Sequence, residues 1–187
     1  MKGFKKLLIF LFVLAFVSVS VMAFFDIYKK RIVPLAYSDL VLKYSKEFNV
    51  PQSHIFAIIK CESDFDPKAQ SSAGAVGLMQ LMPDTFDWIC GHLDIDSKKS
   101  DITDPETNIR SGCYYMKWLY ERFEDWDMVF AAYNAGHNRV KGWMNDPNIY
   151  INGKLENIPY KETENYVKKV NAFITQYETL YPDLKER

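Results

Sequence analysis

From Leu7 to Phe25 every side chain is apolar except those of Ser18 and Ser20, and Lys2, Lys5 and Lys6 stand in front of the run. Such a stretch has no polar face to turn toward water. It is just long enough to cross a bilayer, and a basic region ahead of an apolar one is the pattern of an export signal. Two outcomes fit: an uncleaved anchor, or a signal peptide removed at Val21-Met22-Ala23. The run continues through Phe24 and Phe25 without a polar break, which favours the anchor. Lys29, Lys30 and Arg31 follow the span and weaken the positive-inside asymmetry without reversing it. The expected layout is a signal anchor or signal peptide over 1–25, a linker over 26–36 and one folded domain over 37–187. That domain is expected outside the cytoplasmic membrane, tethered by the N-terminal segment or secreted after cleavage.

The rest of the 187-residue chain is rich enough in apolar residues, 48% overall, to build one core. A net charge of −1 gives no electrostatic case for nucleic acid. The 12 Tyr and 4 Trp suit a core, and they also suit a groove where sugar faces stack on rings. Cys61, Cys90 and Cys113 match no zinc spacing, and no metal or cofactor is expected. Cys90 and Cys113 are placed to pair outside the cell; three buried thiols are the equal alternative.

Periodicity is helical almost throughout. Ser38 is a candidate cap for a helix to Phe48 that turns Leu40, Val41, Tyr44 and Phe48 to one side. Asn49-Val50-Pro51 ends it. A second helix runs from Gln52 to Glu62. A loop rich in small residues follows, and Pro83 opens the next helix, to about Cys90. Asp104-Pro105 opens another to Phe123, Asp125 or Asp127 one that stops at Gly136, and His137 to Trp143 a short one. Asn152-Gly153 suits a tight hairpin turn. A last long helix runs from Tyr160 to Tyr181. The fold class is therefore mostly α, with room for one small β-hairpin, behind an N-terminal apolar helix.

Glu62 stands out chemically. At a helix C-terminus beside an apolar face, a carboxyl meets the negative end of the helix dipole and partial desolvation, and both raise its pKa. A carboxylic acid still protonated near neutrality can protonate a glycosidic oxygen. Taken alone, a Glu at a helix end is usually a solvated surface residue. The loop that follows, Ser71 to Pro83, adds Gly74 and Gly77, where backbone can approach a ligand, and Gln80, whose amide can donate and accept as an N-acetyl group requires. Tyr133-Asn134-Ala135-Gly136 reads as a helix end with a core Tyr, and Glu162 and Glu164 as ordinary acids of a first helical turn.

Taken together, Glu62-Ser63, Ser71, Gly77-Leu78-Met79-Gln80-Leu81-Met82-Pro83, Ala132-Tyr133-Asn134-Ala135-Gly136 and Pro159-Tyr160-Lys161-Glu162-Thr163-Glu164-Asn165-Tyr166-Val167 resemble the soluble lytic transglycosylase family in order and spacing. Asp104-Pro105-Glu106-Thr107-Asn108-Ile109 fits between the second and third groups, and the resemblance covers roughly residues 36 to 180. It implies a lysozyme-like α-domain that acts on peptidoglycan strands of N-acetylglucosamine and N-acetylmuramic acid as a monomer. The reaction implied is cleavage of the MurNAc–GlcNAc β-1,4 bond without water, leaving a 1,6-anhydro end. By motif position Glu62 is the catalytic acid/base. Ser71, Gln80, Met82, Tyr133 and Glu162 fall on substrate-groove positions, and Ser63 and Asn134 belong to the same motifs and orient Glu62 or the N-acetyl group. Cys61, and Glu164 where many relatives carry Arg, depart from the pattern. A glycosidase using two carboxylates would need a partner for Glu62, and the sequence offers no obvious one. The nearest alternative on the same fold is a lysozyme-like hydrolase; a non-catalytic glycan-binding protein is the alternative of another class.

Overall fold

The computed structural model describes residues 2–184. It divides into two compact units, Met1–Leu35 and Ala36–Arg187. In the first, α1 spans Lys2–Ile32. Its apolar side chains are exposed all round, as a helix made for a non-aqueous surrounding would present them. Ser18 and Ser20 return their hydroxyl protons to the carbonyls of Ala15 and Phe16 one turn back, so neither leaves a polar group without a partner. The helix runs past residue 26, where a linker was expected. Nothing between Asp26 and Ile32 breaks it; Pro34 does, by disfavouring helical backbone at the residue before it.

The second unit is mostly helical, with one two-stranded antiparallel ribbon. Its order is α2 (Ser38–Phe48), α3 (Gln52–Glu62), α4 (Pro83–His92), α5 (Pro105–Phe123), α6 (Trp126–Ala135), α7 (His137–Trp143), β1 (Tyr150–Ile151), β2 (Lys154–Leu155) and α8 (Lys161–Leu180), closed by a 3-10 turn at Pro182–Leu184. In α3 the run Ile55-Phe56-Ala57-Ile58-Ile59 is buried on every side, and in α6 so is Met128 to Ala132. These two helices are the centre. α8 packs against both, α5 against α2 and α6. Phe56 stacks on Tyr177 at 5.3 Å, and the Ser53 hydroxyl donates to Glu178 Oε1 at 3.0 Å, so α3 and α8 are held by both apolar and polar contacts.

Most helix ends follow their local chemistry. Asp104 and Asp125 accept from the backbone N–H of Thr107 and Met128, each meeting an orphan donor of the first turn. Ser38 is a correction. The residue before α2 is Tyr37, in left-handed backbone (φ 61°) with no side-chain cap, and Ser38 is already helical. The hairpin is present: Tyr150 pairs with Leu155 and Ile151 with Lys154 around Asn152-Gly153, both at positive φ. Cys61, Cys90 and Cys113 are all free thiols, so the pairing of Cys90 with Cys113 is not made and the buried-thiol reading holds for those two.

Candidate active site

Glu62 is the last residue of α3, and the chain leaves it through two residues in left-handed backbone, Asp64 and Phe65. Because α3 is central, its C-terminus is half-buried. Burial pushes the Glu62 carboxyl up to about 7, against a hydrogen bond from Tyr166 and the positive charge of Lys169, which both pull it down. The Tyr166 hydroxyl donates to Glu62 Oε1 at 2.5 Å across 104 residues of sequence, from the exposed-to-buried boundary of α8. Burial, then the Glu62 charge, hold the Tyr166 phenol far above its ordinary range, so it stays a donor. The neighbouring carboxylates are engaged elsewhere: Asp64 pairs with Lys60, Glu164 with Lys161 and Lys168, and Asp66 accepts from Lys68 N–H in a turn.

The loop between α3 and α4 is fixed to this helix end. The Ser63 hydroxyl donates to Leu78 O at 2.8 Å and lies 3.2 Å from Ile59 O. Asn108 of α5 holds the same loop from behind. Its Oδ1 accepts from Met79 N–H at 2.7 Å, and its Nδ2 donates to Val76 O at 3.1 Å and Ile102 O at 2.8 Å. Gly77 lies against that carboxamide at φ 83°, where a β-carbon would overlap Asn108. The Tyr133 hydroxyl donates to Met79 O at 2.8 Å, which attaches the end of α6 to the loop. Burial and then the Glu62 charge raise the Tyr133 phenol, which places it within electrostatic reach of the acid.

The other expected residues take distinct positions. Gln80, at φ 46°, turns its amide nitrogen inward to Ala69 O and Gly77 O, both at 3.0 Å, so its donors serve the loop and only its carbonyl oxygen is left to meet a ligand. Ser71 makes a turn of its own, its Oγ accepting from Ala75 N–H at 3.0 Å. Met82 is 43% exposed at the N-cap of α4, an apolar side chain offered to solvent at the loop's end. Asn134 accepts from the buried Thr163 hydroxyl at 2.8 Å, joining the end of α6 to the start of α8, and Glu162 is exposed next to that junction. Among the described residues no bond joins Ser71, Met82 or Glu162 to Glu62. Tyr166, Lys169 and Asn108 were quoted or passed over in the sequence without a role. Tyr166 carried a signal in hindsight, since it is one helical turn from Glu162 on the motif that opens α8.

An aromatic path leads away from Tyr133. Its ring lies 5.4 Å from Tyr115, which stacks on Trp118 at 5.9 Å. Tyr115, Trp118, Trp88, Asp84, Thr85 and His137 line a cavity of about 300 Å³ between α4, α5 and α7. Rings beside a carboxylate and a hydroxyl are what a sugar needs, faces for its C–H groups and partners for its hydroxyls.

Residues 39–152 match the model of the Transglycosylase SLT domain. The chain is 40% identical over 150 residues to the soluble lytic murein transglycosylase of Escherichia coli (strain K12), covering 77% of this chain and 23% of that one. It is 32% identical over 167 residues to the membrane-bound lytic murein transglycosylase C of Sodalis glossinidius, covering 75% of this chain and 46% of the relative. The crystal structure of the 70 kDa soluble lytic transglycosylase of Escherichia coli superposes with a TM-score of 0.72 at 36% identity, over 84% of this chain and 26% of that one. An inactive Glu-to-Gln mutant of lytic transglycosylase Slt from Pseudomonas aeruginosa does so with a TM-score of 0.71 at 31% identity, over 81% and 25%. The chain thus spans about a quarter of the length of the soluble relatives it matches.

Proposed function

The chain belongs to the Transglycosylase SLT domain family, and on that premise we propose that it is a lytic transglycosylase of peptidoglycan with Glu62 as its single catalytic acid/base. The observation that carries this reading is a lone half-buried carboxyl, raised to about 7, with a tyrosine hydroxyl on it and no second carboxylate among the groups acting on it. A two-carboxylate glycosidase has a nucleophile or base opposite its acid; among the described residues Asp64, Asp66 and Glu164 are engaged elsewhere and no bond joins Glu162 to Glu62, which supports a route in which the substrate supplies the second group.

In the first step protonated Glu62 gives its proton to the GlcNAc O4 as the bond from O4 to the MurNAc anomeric carbon breaks, and the 2-N-acetyl oxygen of MurNAc stabilises that carbon. In the second, the Glu62 carboxylate takes the proton of the MurNAc C6 hydroxyl, whose oxygen closes on the anomeric carbon. One C–O bond is lost and one formed, Glu62 is restored, and no water is consumed. The C6 hydroxyl is tethered to the reacting ring, and such tethering is worth far more than the concentration of a free nucleophile. Tyr166 positions the carboxylate. Ser63, Ser71, Gln80, Met82, Tyr133, Asn134 and Glu162 form or support the glycan groove, Gln80 through its carbonyl oxygen. α1 holds the domain at the outer face of the cytoplasmic membrane.

Mass spectrometry of muropeptides released by the purified protein tests this. Ends one water lighter than a reducing MurNAc are expected; reducing ends would replace the reading with a lysozyme-type hydrolase. Glu62→Gln keeps shape without the proton. It should lower turnover by at least the roughly 10²–10⁴-fold that general acid–base catalysis supplies, with binding of glycan fragments retained. Near-normal turnover would remove Glu62 from the role.

A further inference from the structure

Lys60, Lys161, Lys168 and Lys169 lie on the two helices that meet at Glu62, α3 and α8, and three of them are paired. Lys60 pairs with Asp64, and Lys161 and Lys168 both pair with Glu164. Lys169 has no carboxylate partner among the described residues. Its Nζ lies instead 3.4 Å from Cys61 O. That carbonyl is next to Glu62 and is one of the last four of α3, which the helix itself leaves unpaired. Lys169 follows Tyr166 by three residues, so one face of α8 brings both a hydroxyl and an ammonium to the end of α3. The groups acting on the Glu62 carboxyl are few. Tyr166 and Lys169 reach it from α8, Tyr133 faces it from α6, and the Cys61 thiol is its neighbour on α3. Burial holds both phenols and the thiol far above their ordinary ranges, so none of the three is charged. Among the described residues Lys169 is thus the ion that acts on the acid.

We propose that Lys169 is a positioning residue of the reaction: its ammonium, held at the end of α3 by the Cys61 carbonyl, stabilises the carboxylate that Glu62 becomes when it gives up its proton. The proposal rests on the reading of Glu62 as the acid/base. In the first step the O–H bond of Glu62 breaks, the proton goes to the leaving GlcNAc O4, and a negative charge is left at a half-buried helix end. Burial and the helix dipole both disfavour that charge. A nearby cation offsets part of the cost. Lys169 forms no ion pair with Glu62 among the described residues, so it does not occupy the oxygens that must next take the proton of the C6 hydroxyl. Tyr166 therefore aims the carboxylate and Lys169 supplies charge from beside it. Lys169 is exposed, so its field runs partly through water and is open to screening by salt.

Titration of the Glu62 carboxyl in the full chain, in detergent micelles, tests this. Glutamate carrying carbon-13 at Cδ is followed by NMR, and the signal lost in Glu62→Gln gives the assignment. Lys169→Met should move the midpoint to higher pH by about 0.5, as a partly solvated charge beside an acid implies. Lys169→Glu should move it further the same way, and Lys169→Arg should leave it at the native value. Raising salt from about 0.01 M to about 1 M cuts the screening length from roughly 30 Å to roughly 3 Å. That change should raise the native midpoint and leave that of Lys169→Met nearly still. The alkaline limb of kcat/KM should follow each shift, with kcat lower in Lys169→Met and restored in Lys169→Arg. A residue that only braces α3 would lower the melting temperature and kcat with the midpoint, the limb and the salt response unmoved. That result, or a midpoint in Lys169→Glu no higher than the native one, would overturn the proposal. The titration needs no turnover. A chain whose midpoint moves but which never cleaves glycan loses the catalytic reading and keeps the coupling of Lys169 to Glu62; one that cleaves through Glu62 with an unmoved midpoint does the reverse.

Discussion

At Glu62 two influences oppose each other: burial favours the protonated carboxyl, and the Tyr166 hydroxyl favours the carboxylate. Tyr166→Phe removes the second influence, so the acid should titrate higher. In the proposed mechanism the first step uses the protonated form, and the alkaline limb of kcat/KM should therefore move to higher pH, with kcat reduced because the carboxyl is less well aimed. A profile that keeps its limb while activity falls would make Tyr166 purely structural. The same shift has a stability sign. A carboxyl whose folded pKa lies above its unfolded one costs stability once the pH passes the unfolded value, in full above about 7. Glu62→Gln should thus raise the melting temperature near pH 8 and have little effect near pH 4; equal shifts at both would contradict the burial. Taken alone Glu62 was a weak signal, a carboxyl at a helix end before a small-residue loop, and its proposed role came from the order and spacing of the motifs around it. Its partner was not legible, since 104 residues separate Tyr166 from it and only the packing of α8 on α3 brings them together. Gln80 shows the same limit: its capacity to donate was legible, and the carbonyls of Ala69 and Gly77 that take up its donors were not.

The loop from Ser63 to Met82 is shaped less by its own sequence than by Asn108, one buried carboxamide on α5. Its three bonds meet the Met79 N–H and the carbonyls of Ile102 and Val76, the last of which also accepts from Leu81 N–H. Asn108→Ala should cost roughly 3 kcal/mol, the desolvation penalty of groups left unpaired. It should also loosen the Met79 carbonyl that holds Tyr133, so turnover falls more than the folded fraction does. Thermal unfolding together with activity per folded molecule separates the two effects, and a normal melting temperature would refute the role. Element boundaries were readable wherever a residue acts on its own backbone: Pro83, Asp104, Asp125, Gly136 and Asn152-Gly153 all stand where their local chemistry puts them. Ser38 was misread because its capping competence is real but the chain turns into α2 at Tyr37 instead. The segment 26–36, expected as a linker, is helical to Ile32, because polar residues without Gly or Pro do not end a helix; Pro34 does.

Within the 26 residues from Gly3 to Tyr28 an 18-residue window reaches a mean hydropathy of 2.9, and none of that window is buried. At about 1.5 Å per residue this length exceeds the roughly 30 Å of a hydrocarbon core. A helix this apolar and this exposed is stable only in lipid, detergent or an aggregate. The unit from Ala36 onward, by contrast, has its own centre in α3 and α6, and the site and its supports all lie within it. The two ends of the molecule should therefore separate cleanly in experiment. The full chain should stay with membranes through a high-salt wash and leave them in detergent, because its attachment is apolar and not ionic. A shortened chain beginning at Val33 should be soluble without detergent, unfold in one cooperative helical transition, and cleave solubilised glycan at close to the rate of the full chain in micelles. If it aggregates, or if its helical signal is lost, then α1 contributes to the fold and is not only a tether. If it folds but cleaves only glycan and not intact sacculi, the anchor's contribution lies in placing the groove against the wall.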